Sequence, residues 1–153
     1  MKSIPYYLLI FTLMVNLTGY SQEKSKLKLA MAQMLVEGGE KQKNLNRAVE
    51  RIEEAAKNKA DIILLPEAMD LGWTHSKAKT EAEPIPLGST FQTLAKAAKM
   101  NKIYVCAGII EKDGDRTFNS AVLINRNGEL VLKHRKINEL SIAHGLYDQG
   151  DRI

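Results

Sequence analysis

Residues 60–73 read Ala-Asp-Ile-Ile-Leu-Leu-Pro-Glu-Ala-Met-Asp-Leu-Gly-Trp, and this stretch constrains the fold more than any other. The aliphatic run at 62–65 has the length and composition of a strand buried on both faces. Pro66 has no N–H to give to a ladder, so the strand is expected to end there. Glu67 follows, at the point where a buried strand opens out. Active sites of layered α/β folds sit at such strand ends. Partial desolvation there is expected to raise the Glu67 pKa towards that of a general base. A solvated acid in an ordinary strand-to-loop turn has the same sequence. Structural carboxylates outnumber catalytic ones, so spacing alone leaves both readings open.

The flanking pattern sets the fold class. Residues 27–34 alternate apolar and polar and read as a strand, and Gly38-Gly39 marks a loop. Over residues 44–59, Leu45, Ala48, Val49, Ile52, Ala55 and Ala56 recur at three- and four-residue spacing, which predicts an amphipathic helix. Strand, helix and strand with short links predict a βαβ unit with a parallel pair. Pro84 and Pro86 make a rigid connection, and Ser89 with Gln92 matches a capping box opening a helix that runs to about residue 100. The apolar run 103–110 is a further strand. Residues 117–124 and 129–134 form a hairpin turned at Asn127-Gly128, after a turn at Asp113-Gly114. The expected class is α/β, layered.

The chain has 153 residues, enough for one domain with a core, and a net charge of +4. Acidic and basic residues are interspersed, and no basic run carries interleaved aromatics, so the charge is not a nucleic-acid signature. Cys106 is the single cysteine, which excludes an intrachain disulfide. His75, His134 and His144 are scattered without zinc spacing, so neither metal nor cofactor is expected. Residues 1–21 have the pattern of a signal peptide: Lys2, an apolar core at 6–15, and small residues Gly19 and Ser21 before a cleavage point at Gln22. The rival is an uncleaved anchor, but the apolar core is short for a span. A secreted or periplasmic protein is expected, with mature chains beginning at or near Gln22 on N-terminal sequencing. An intact Met1 in a soluble cytoplasmic pool would refute that expectation.

Two further features bear on chemistry. Cys106 lies inside an apolar strand, where burial raises a thiol pKa and makes it inert. It reads as core rather than nucleophile. His134-Arg135-Lys136 closes the last strand, and a lysine there can place a cation where an oxyanion develops. A charged sheet rim has the same composition, and spacing does not separate the two.

Leu64-Leu65-Pro66-Glu67 resembles the glutamate motif of the nitrilase, or carbon–nitrogen hydrolase, superfamily. His134-Arg135-Lys136 resembles its lysine motif. The segments 108–111, Gly-Ile-Ile-Glu, and 118–121, Phe-Asn-Ser-Ala, with Asn127-Gly128, resemble the sequence between the two motifs. Order and separation match over about residues 27–153. The resemblance implies the N-terminal portion of a four-layer α-β-β-α sandwich and a Glu-Lys-Cys triad. Glu67 would be the general base and Lys136 the stabiliser of the tetrahedral intermediate. A cysteine would attack an amide, carbamoyl or nitrile carbon. Members often carry a second glutamate after the lysine; Glu139 is the candidate, though closer to the lysine than the family's spacing.

The family's nucleophile lies well beyond its lysine, and this sequence runs only to Ile153. Cys106 precedes the lysine and cannot be that residue. Residues 22–153 are therefore expected to be a carbon–nitrogen hydrolase domain incomplete at its C-terminus and inactive alone. The resemblance also implies small-molecule substrates and a homo-oligomer in the full-length form. The alternative is a non-catalytic half-domain or pseudoenzyme that acts by pairing with another chain.

Overall fold

The computed structural model describes residues 26–143 and 145–151, so the signal-peptide reading of 1–21 lies outside the described residues. A five-stranded sheet runs in the order β1 (Leu29–Met31), β2 (Ile62–Leu64), β3 (Tyr104–Asp113), β4 (Arg116–Ile124) and β5 (Leu130–Arg135). The pairs β1–β2 and β2–β3 are parallel, and β3–β4 and β4–β5 are antiparallel. Helix α1 (Lys41–Lys57) connects β1 to β2. The short α2 (Ala78–Glu81) and then α3 (Ser89–Asn101) connect β2 to β3. This is the α/β alternation with a late hairpin that the hydrophobic pattern predicts.

Both long helices pack on one face of the sheet. Leu45, Ala48, Ile52 and Ala55 of α1 and Phe91, Leu94 and Ala98 of α3 close over Ile63, Val105, Ala107, Ile109 and Val122. Each fully buried Leu or Ile there contributes roughly 1.5–3 kcal/mol. Helix α1 starts at Lys41, four residues before Leu45 opens its apolar stripe. The amide of Asn44 is the reason: it donates to the carbonyls of Glu37 and Asp70 while its oxygen accepts from the Glu37 N–H. That ties the helix start to the loops on either side of it.

The expected capping box at Ser89 does not form. The N-cap position is Gly88, without a side-chain cap. Glu83 takes the role, accepting from the Thr90 N–H at 2.8 Å and from the Ser89 hydroxyl at 2.8 Å. Gln92 instead donates to the Pro86 carbonyl. The proline connection brings Glu83 to the helix start, and a carboxylate there also meets the positive end of the helix dipole.

Burial on both faces of the central strands is not observed. Leu64 is 42% exposed, and Leu29, Met31 and Leu132, on the same sheet face, are 50–75% exposed. Among the described residues no layer covers this second face. Cys106 shares it, paired beside Leu64, and is half-buried rather than fully enclosed.

Candidate active site

Glu67 reaches its position because the chain turns sharply at the end of β2 and then stays bonded to β3. Leu65 N–H donates to the Cys106 carbonyl, Gly108 N–H to the Pro66 carbonyl, and Met69 N–H to the Gly108 carbonyl. Ala68 takes a left-handed φ of +48°, a conformation costing an L-residue about 1–2 kcal/mol. Gly108 allows the approach: a Cβ there would lie 2.6 Å from Glu67 Cα. Asp70 completes the anchorage, its buried carboxylate accepting the Ile110 N–H at 3.1 and 3.2 Å. Burial pushes the Asp70 carboxyl up to about 6.

Lys136 arrives from the far side of the sheet, one residue past β5. Its N–H donates to the Asn119 carbonyl at 2.8 Å, and its carbonyl accepts from Gly150 N–H at 2.9 Å. Its ammonium donates to Glu67 Oε1 at 2.8 Å and lies 5.5 Å from the Trp73 ring centroid. The Asn119 amide donates to the same Oε1 at 2.7 Å. The Tyr147 hydroxyl holds the Trp73 carbonyl from behind. Glu67, Asn119, Lys136, His134, Gly108 and Cys106 line one open cleft of about 560 Å³ on the uncovered sheet face.

The expected rise in the Glu67 pKa is not found. Burial does push it up, but the hydrogen bonds from Lys136 and Asn119 outweigh that and hold the carboxyl below its ordinary value. Glu67 is therefore ionised at neutral pH. Glu139 moves the other way. Burial and the Glu67 charge raise its pKa against the pull of Lys136, 3.9 Å away. Its side chain is 8% exposed, and both oxygens lack a hydrogen-bond partner among the described residues. Two carboxylates thus share one ammonium, and their environments separate them. Burial raises the Cys106 thiol pKa, as its strand position implies.

The carbon-nitrogen hydrolase family profile matches residues 28–152. The chain belongs to the carbon–nitrogen hydrolase family. A nitrilase of Pyrococcus abyssi is 35% identical over 128 residues, covering 82% of this chain and 48% of that protein. An omega-amidase of Xenopus laevis is 37% identical over 119 residues, covering 77% and 42%. Among solved structures, a nitrilase-superfamily protein of Saccharomyces cerevisiae superposes with a TM-score of 0.74 at 28% identity, covering 82% of this chain and 49% of its own. An amidase of a Nesterenkonia species gives a TM-score of 0.76 at 18% identity, with coverage of 88% and 52%. The chain spans about half the length of the relatives it matches.

In this member of the carbon–nitrogen hydrolase family the residues singled out from sequence fare differently. Glu67 and Lys136, 69 residues apart, meet directly, and Glu139 stands beside them. The loop at 70–79 follows Glu67 and runs away from the cleft. Its Asp70 turns inward to β3, and His75 packs over Gly38 and Gly39 instead. Only Trp73 stays near Lys136. Asn119 was not singled out for chemistry. Its signal is the polar pair Asn119-Ser120 set between Phe118 and the apolar run Ala121–Ile124.

Proposed function

We propose that the protein carrying this chain hydrolyses the carbon–nitrogen bond of small amides, carbamoyl compounds or nitriles through a Glu-Lys-Cys mechanism. The supporting observation is the ion pair of Glu67 with Lys136, at 2.8 Å, on the rim of an open cleft. In this reading the ionised Glu67 takes the proton of an attacking thiol. The thiolate adds to the carbonyl carbon, and Lys136 neutralises the oxyanion that forms. Glu67 returns its proton to the departing amine, leaving a thioester, which water then cleaves to the acid with Glu67 again as base. A nitrile would pass through a thioimidate and lose ammonia on hydrolysis. Glu139, buried and facing Lys136, holds the ammonium from its second side.

The thiol in this reading comes from outside residues 1–153. Cys106 lies mid-strand with a raised pKa, the wrong direction for a nucleophile. Similarity to an omega-amidase and a nitrilase supports small substrates with a terminal amide or nitrile. The test is ammonia release by the full gene product from a panel of primary amides, carbamoyl amines and nitriles. Turnover of at least one class is expected at roughly 1–100 per second. A folded product that releases ammonia from none of them would favour the non-catalytic pairing role. Residues 1–153 alone turning over an amide, with loss on Cys106→Ala, would overturn the exclusion of Cys106.

A further inference from the structure

We propose that Asn119 is the positioning residue of this site, fixing Glu67 Oε1 beside Lys136 and thereby leaving Oε2 as the oxygen that receives the proton. The inference rests on the reading of Glu67 as the base. Asn119 lies on β4, paired with Ile110 of β3, and is 4% exposed. It touches both charged partners with different groups. Its main-chain carbonyl accepts the Lys136 N–H at 2.8 Å, and its side-chain amide donates to Glu67 Oε1 at 2.7 Å. One residue in the middle of the sheet therefore sets the distance between two groups delivered by opposite flanks of it.

The two oxygens of Glu67 are not equivalent as a result. Oε1 accepts two donors, from Asn119 and Lys136. No hydrogen bond to Oε2 is found among the described residues. A proton arriving at Oε1 would have to displace a donor, whereas Oε2 keeps its lone pairs available. An amide suits the position. It donates at every working pH, adds no charge, and cannot compete for the proton. Lys136 alone would hold Oε1 with a swivelling ammonium; the fixed amide sets the plane of the carboxylate as well.

The test reads Glu67 directly, by carbon-13 detection of its side-chain carboxyl through a pH titration of the full gene product. The other titratable groups facing Glu67 are Lys136, Glu139 and Tyr147, and His134 lines the same cleft. Asn119→Ala removes one hydrogen bond to the charged form, so the Glu67 midpoint is expected to rise by about half to one pH unit. Asn119→Asp keeps the shape but adds a like charge, and the midpoint is expected to rise further. Glu111 serves as the internal control, because Ser120, the next residue, donates to it at 2.6 Å. A general loosening of β4 would move both carboxyls. The positioning role is overturned if Glu67 in Asn119→Ala stays within about 0.2 pH unit of the unmodified protein, or if Glu67 and Glu111 move together. Asn119→Asp, being isosteric, keeps the measurement possible if the alanine variant fails to fold. The titration needs no turnover. A protein that shows the expected rise but hydrolyses nothing refutes only the functional reading.

Discussion

Glu111→Ala is expected to cost about 3–5 kcal/mol of folding stability at neutral pH, the range for removing one partner of a buried ion pair. Glu111 lies near the end of β3, on the sheet face that carries the helices but beyond their cover. Its side chain is 2% exposed. Arg135 donates to it at 2.9 and 2.5 Å, Lys133 at 2.5 Å and Ser120 at 2.6 Å. The Arg135 guanidinium also lies 3.9 Å from the Phe118 ring centroid. Burial opposes ionisation of Glu111, but these donors overcome it and hold the carboxyl at about 2, from an ordinary value of 4.5. A folded pKa below the unfolded one gives stability that is complete above the unfolded value. That stability is lost as pH falls from about 4.5 towards 2, and the full difference is worth about 3 kcal/mol. Denaturant melts at pH 7 and pH 3 check both statements. Glu111→Ala should flatten the acid-side decline, and Glu111→Gln, which keeps the shape and one acceptor, should lose less. A loss below about 1 kcal/mol for the alanine variant would show that the network is decoration. The same substitution leaves Arg135, the residue before Lys136, held among the described residues only by Asp113 and the Phe118 ring, so the site should loosen with the fold.

That network also shows where local pattern stops carrying information. The helices are legible because three- and four-residue spacing is a local property, and α1 and α3 appear close to where periodicity puts them. The start of α1 is not legible, since residues 41–43 are polar and the Asn44 bonds that fix it come from distant loops. The Ser89–Gln92 pattern is a correct local signal defeated by a better acceptor. Glu83 arrives by way of the proline connection and outcompetes the hydroxyl. The run at 62–65 is apolar throughout, and periodicity cannot tell a strand covered on both faces from one whose second face is open. At the site, the pairing of Glu67 with Lys136 is visible only as two family motifs in order, because 69 residues separate them. The direction of the Glu67 pKa is invisible for the same reason: the donors that lower it come from β4 and from beyond β5. Desolvation, which a sequence can suggest, is present and loses.

Glu67→Gln in the full gene product is expected to lower kcat for amide hydrolysis by about 10²–10⁴-fold while leaving the fold intact, the range for removing a positioned general base. The glutamine oxygen can occupy the place of Oε1 and still accept from Asn119 and Lys136, so the loop at 66–70 keeps its tether to β4. What changes is the second position. An amide nitrogen there has no lone pair for a proton, so the thiol stays neutral and attack slows. Substrate contacts made elsewhere in the cleft survive, so KM should move far less than kcat. The pH profile carries an independent signature. Lys136 and Asn119 hold the Glu67 carboxyl below its usual value, so on the proposed reading the unmodified gene product should keep its activity down to mildly acidic pH, and that acid limb should vanish in the variant. Stability should respond little, because Glu67 is half exposed and its ion pair is screened. A variant with unchanged kcat would remove Glu67 from the chemistry and leave the pair with Lys136 as a clamp across the sheet. A variant that lost activity together with its thermal transition would mean that the tether, not the proton, was the function of this carboxylate.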